Sequence, residues 1–147
     1  MTAVRTDPDP RALAARLVAE HHADGAWLDR FAEELDRGRA VHGLERVMAV
    51  WGLTQAEVAR LFGVSRQAVG KWVSGGVPVE RVPAFADLAA ATDLLVRQLR
   101  RDRIPAVVRR PAPALGDRSL VDLVAAGRTA DVLAACRAMF AFDQVQA

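Results

Sequence analysis

The sequence is poor in cysteine, in lysine and in long apolar runs, and each shortage excludes something. One cysteine, Cys136, closes no intramolecular disulfide and builds no cysteine-based metal site, so a reducing cytoplasm is the expected compartment. No apolar run reaches the ~18 residues that a bilayer-spanning helix needs, because Arg, Asp or Glu interrupts every hydrophobic segment, and no membrane partner is expected. Residues 1–10 carry Asp7, Asp9 and two prolines where a secretory signal has positive charge followed by an apolar stretch, so secretion is not expected. There is no Gly-rich phosphate loop, nucleophile elbow or Walker pattern, hence no expected catalytic residue, enzyme activity or cofactor. His21 and His22 are adjacent and His42 is distant, so no pair has the four-residue spacing that places two imidazoles on one helical face, and no metal site is expected. Asp29, Glu33 and Glu34 fall on the polar side of an amphipathic pattern, which accounts for them without acid–base chemistry.

What is present is a chain of 147 residues, 52% hydrophobic and 26% charged, the composition of a folded domain or two small ones. The formal net charge is only +2, but it is segregated. Residues 20–36 set Glu20, Asp24, Asp29, Glu33, Glu34 and Asp36 against Arg30 alone, while residues 97–118 are rich in arginine. Arg97, Arg100, Arg101, Arg103, Arg109 and Arg110 have two readings, the solvated end of a long helix or a second contact to DNA phosphates. The acidic stretch is one possible dock for this basic stretch in a second copy. Of the 20 basic residues only Lys71 is lysine, a bias attributed to a GC-rich genome.

Periodicity is helical nearly throughout and no alternating strand pattern is visible, so the expected class is all-α. Asp9 and Pro10 open a first helix that reaches about His22. A second begins near Asp24, carries Trp27, Leu28, Phe31 and Leu35 on one face, and is expected to end at Gly38. A third carries Val41, Leu44, Val47, Met48 and Trp51 and stops at Gly52. Pro83 opens a long helix with Phe85, Leu88, Thr92, Leu95 and Leu99 inward, expected to run to about Arg103 and to be closed by Pro105. Residues 105–117 read as an extended connector. Ser119 and Asp122 form a capping box for a short helix ended by Gly127, and Thr129 caps a last helix carrying Val132, Leu133, Cys136, Met139 and Phe140. Cys136 is expected in the core.

Residues 54–74, TQAEVARLFGVSRQAVGKWVS, meet several demands of a helix-turn-helix at once. Thr54 and Glu57 make a capping box, Ala59 is small where the helices approach closely, and Gly63 occupies the turn. Ser65 caps the second helix. Val58, Leu61, Val64, Val69 and Trp72 face the preceding helix. Ser65, Arg66, Gln67, Gly70 and Lys71 are left on the outer face, where Arg66 suits guanine, Gln67 suits adenine, and Lys71, Thr54 and Gln55 suit phosphates. One short reading helix has modest specificity, which implies a homodimer on a two-fold operator. The segment resembles the Xre, or lambda-repressor-like, helix-turn-helix family, including Gln55, Ala59, Gly63 and Trp72.

Residues 111–123, PAPALGDRSLVDL, with Gly127, Arg128 and a short terminal helix, resemble the toxin-binding domain that follows such a helix-turn-helix in Xre/MbcA/ParS antitoxins. Pro113, Leu115, Gly116, Arg118, Ser119, Asp122 and Leu123 match. The family's connector aromatic is missing from residues 104–108, and Leu120 stands where it usually has Pro. The resemblance implies an all-α bundle made of a 1–40 extension, a 41–104 helix-turn-helix domain and a 105–147 toxin-binding domain. It also implies a type II antitoxin that represses its operon and inhibits a cognate RES-domain toxin, an enzyme that acts on NAD. By carry-over, Arg118, Met139, Phe140, Phe142, Asp143 and Gln144 would face the toxin. Met139 and Phe140 equally fit a core stripe, and Phe142, Asp143 and Gln144 lie past it. The alternative is a stand-alone Xre-family transcriptional regulator.

Overall fold

Three prolines open helices rather than closing them. In the computed structural model, which describes residues 7–141, Pro10, Pro83 and Pro105 each sit in a first turn, where the missing N–H has no helical partner to lose. Eight α-helices follow in order: α1 Pro10–His21, α2 Gly25–Trp51, α3 Gln55–Phe62, α4 Arg66–Gly75, α5 Val82–Gln98, α6 Ile104–Arg109, α7 Leu120–Ala125 and α8 Thr129–Ala141. No strand occurs among the described residues, and a single bridge pairs Ala112 with Arg118. The fold is all-α.

Two compact units divide at Leu35 and Asp36. In the first, Asp9 caps α1 by accepting from Arg11 N at 3.2 Å, and His21, Trp27 and Phe31 stack with ring centroids 3.6 and 5.2 Å apart. None of its described residues is buried. The second unit holds the core, in which Leu44, Trp51, Val69, Phe85, Leu88, Leu95, Ile104, Val108, Val132 and Cys136 are almost completely enclosed. Residues on both sides of position 104 contribute to it.

Three expectations fail for identifiable reasons. Gly38 does not end a helix, and α2 runs through it for 27 residues. A glycine stops a helix when it takes a left-handed cap, as Gly52 does at φ +68, whereas Gly38 keeps negative φ and costs only about 1 kcal/mol relative to alanine. The long helix ends at Gln98, because Leu99 turns extended at φ −122 and ψ 151. Residues 105–117 are extended only around Arg110 and Ala112. Arg101–Arg103 forms a 3-10 turn, α6 follows, and Pro113–Leu115 makes another 3-10 turn closed by Gly116 in the left-handed region. The driving force is burial, since Ile104 and Val108 are both 0% exposed. Thr129 also differs from a simple cap: its hydroxyl donates to Asp87 Oδ2 at 3.1 Å, tying the start of α8 to α5.

Candidate nucleic-acid interface and partner groove

The capping box at the start of α3 forms in full. Glu57 N donates to Thr54 Oγ1 at 3.2 Å and Thr54 N donates to Glu57 Oε2 at 2.8 Å. The donation from the Thr54 backbone, and after it one from the Thr54 hydroxyl, hold the Glu57 carboxyl below its ordinary 4.5; Arg109 and Arg60 add to the effect. Gly63 ends α3 at φ +64, Val64 N returns to Ala59 O at 2.9 Å, and Ser65 Oγ caps α4 by accepting from Ala68 N at 3.1 Å. Ala59 is 5% exposed at the crossing, where a larger side chain would force the helices apart.

Aromatic packing fixes the pair on α5. Phe62 stacks on Phe85 at 4.9 Å, Trp72 meets both edge-on at 6.1 and 5.9 Å, and the Arg81 guanidinium lies over Trp72 at 5.3 Å. With Val69 and Trp72 facing inward, Ser65, Arg66, Gln67 and Lys71 are exposed along α4. Gln55 lies across from Gly70, its Oε1 3.9 Å from where a Cβ would stand, so the first residue of α3 borders the exposed face of α4. Thr54 is exposed beside it. The hydroxyl oxygen of Ser65 accepts in its cap and retains an O–H to donate to a phosphate.

Two arginines brace this motif: Arg37, which the sequence reading did not name, and Arg109, which it named only as part of the basic stretch. Arg37 Nε donates to Val77 O at 2.9 Å beyond the end of α4. Arg109 donates to Trp51 O at 2.7 Å, Gly52 O at 2.9 Å and Pro105 O at 2.9 Å, before the start of α3. Arg109 is the exposed last residue of α6, and its guanidinium is engaged by three backbone carbonyls. Both arginines pair with backbone carbonyls far away in sequence, for which no residue type is a signal.

A groove of about 910 Å³ is lined by Leu115, Gly116, Arg118, Leu123, Ala135 and Met139 among others. It brings together Arg118 and Met139, which stand far apart in the sequence. Met139 is 44% exposed, while Phe140 packs against the core, so the structure separates two residues that periodicity treated alike. Phe142, Asp143 and Gln144 lie outside the described residues. The second capping box, Ser119 with Asp122, closes at 2.8 and 3.0 Å, and the Ser119 bonds hold the Asp122 carboxyl below its ordinary 3.8. Cys136 is fully enclosed, and burial pushes its thiol from 9.0 up to about 11. Among the described residues there is no acid–histidine–cysteine cluster able to hold a metal ion, and no helix is long and apolar enough to cross a membrane.

Comparison with known proteins agrees with this geometry. Residues 52–93 match the Helix-turn-helix family. The chain is similar to a solved structure described as the crystal structure of the M. tuberculosis MbcT-MbcA toxin-antitoxin complex, at 30% identity and a TM-score of 0.55, over 67% of this chain and 91% of that chain. No curated protein matches it.

Proposed function

Because the chain belongs to the Xre-type antitoxins of toxin-antitoxin systems, we propose that it represses its own operon as a homodimer and inhibits a RES-domain toxin through its C-terminal region. The observation that supports this reading is the presence of two separate surfaces on one unit: the exposed edge of α4, and the groove edged by Arg118 and Met139. On the first, Arg66 and Gln67 read base edges, while Thr54, Gln55, Ser65 and Lys71 hold the phosphates on either side. On the second, Met139 is an apolar anchor and Arg118 a charged one at the rim of a concave, largely apolar wall, the arrangement that dominates binding energy at interfaces. Phe140 packs against the core, and the toxin-facing roles proposed for Phe142, Asp143 and Gln144 fall outside the described residues. The antitoxin supplies no chemistry of its own; it excludes NAD from the enzyme. The cytoplasm, where both operator and NAD are found, is the proposed compartment.

The test is co-expression with the product of the adjacent gene, followed by affinity purification and a cellular NAD assay. A stable complex with NAD preserved is expected. Met139→Asp is expected to break the complex and to leave operator binding intact, whereas Lys71→Ala is expected to weaken DNA binding on all sequences and lower the salt slope by about 1 without touching the complex. No complex, together with a footprint on its own promoter, would leave a plain transcriptional regulator.

A further inference from the structure

The turn between α2 and α3 carries the last carbonyls of α2, which the helix itself leaves without N–H partners. Gly52 bends the chain there at φ +68, and the next residues are Leu53, then Thr54 and Gln55, the proposed phosphate contacts. One guanidinium from α6 fills this turn. Arg109 Nη1 donates to Trp51 O and to Pro105 O, and Nη2 donates to Gly52 O and lies 3.9 Å from Glu57 Oε1. Glu57 Oε2 meanwhile accepts from Thr54 N. A single planar group thus joins the end of α2, the first turn of α6 and the capping box of α3. Only arginine has a fork of donors in that geometry, and a lysine ammonium reaches one or two of these oxygens. Arg109 also lies well beyond residue 93, where the matched helix-turn-helix segment ends.

We propose that Arg109 is a positioning residue for DNA binding: it sets the entry angle of α3 and so places Thr54 and Gln55 against the DNA backbone, without touching DNA itself. The inference rests on the DNA-binding part of the proposed function. It makes the DNA-binding unit larger than the helix-turn-helix segment, because the side chain that orients that segment comes from the region proposed to serve the toxin. Removing the fork leaves α3 packed, since Val58 and Ala59 remain buried, but frees its N-terminus to tilt, and binding must then restore the lost order.

The test uses the full chain and a duplex enriched by the wild-type protein from a randomised pool, with affinity read by fluorescence anisotropy across a salt series. Arg109→Met is expected to lose about tenfold in affinity, the equivalent of about 1.4 kcal/mol, with an unchanged salt slope. Arg109→Lys is expected to recover part of the loss. Val132→Ala, a core change in α8 away from the turn, serves as a control chosen for lowered melting temperature and is expected to bind as wild type does below its melt. Wild-type affinity in Arg109→Met would overturn the proposal. So would a slope reduced by about 1, which would make Arg109 a phosphate contact, or an equal loss in Val132→Ala, which would make the effect one of stability alone. If the wild-type protein enriches no duplex, the DNA-binding reading itself fails, before any variant is measured.

Discussion

Replacing Thr92 with valine tests the joint between α2 and α5. The Trp51 indole Nε1 donates to Thr92 Oγ1 at 3.0 Å, and that hydroxyl donates onward to Leu88 O at 2.7 Å. Both side chains belong to residues that are 0% exposed, so no water stands ready to replace the partner. Valine keeps the shape of threonine and removes the acceptor, leaving a buried indole N–H unpaired at a cost of about 1 to 3 kcal/mol. Leu88 O keeps its helical position and loses little. Taking about 2 kcal/mol, and about 4 to 8 °C per kcal/mol for a unit of roughly 100 residues, the melting temperature should fall by about 10 °C. Thermal unfolding followed by circular dichroism at several denaturant concentrations measures this directly. The decisive control is the double-mutant cycle with Trp51→Phe, which has no N–H to orphan. In that background Thr92→Val should cost almost nothing. An equal cost in both backgrounds, or an unchanged melt in Thr92→Val alone, would refute the assignment of the energy to this bond.

Two other outcomes follow from the titrating groups. Glu57 and Asp122 have folded-state values below their ordinary 4.5 and 3.8, so their caps contribute stability above those values and lose it as pH falls through the folded ones; Glu57→Gln and Asp122→Asn should flatten the acid limb of a plot of melting temperature against pH. Cys136, with its thiol near 11, should resist a disulfide reagent at pH 8 in the folded protein and react at once after denaturation; fast native labelling would contradict its place in the core.

The parts of the fold readable in sequence are those fixed by neighbours a few residues away. The boxes Thr54–Glu57 and Ser119–Asp122, the cap of Ser65, the turn at Gly63 and the opening prolines Pro10 and Pro83 each depend on one helical turn of chain, and each is found. The candidate reading face was legible for the same reason, since burying Val69 and Trp72 leaves Arg66, Gln67 and Lys71 outside. What was missed depends on distance. Pro105 looks the same as a stop or a start until Ile104 and Val108 are seen filling the core. Thr92 lay on the predicted inner face, but its indole partner is 41 residues away. Arg109 was one more arginine in a basic stretch until the carbonyls of Trp51 and Gly52 were placed beside it. Met139 and Phe140 are consecutive, and the ~100° between neighbouring helical positions is enough to send one to the groove and the other to the core.

The seat of α8 on α5 has a consequence for the order of events in synthesis. Val132 and Cys136, both 0% exposed, complete a core whose other walls, from Leu44 to Leu95, leave the ribosome earlier. The nascent chain therefore holds a finished α4 over an open core until α8 arrives. A chain broken off before that point lacks Val132 and Cys136 from its core and is expected to be degraded by proteolysis rather than to persist as a small repressor. On the function proposed above, every copy stable enough to occupy an operator would also carry the helix that meets the toxin, and the two capacities would accumulate together.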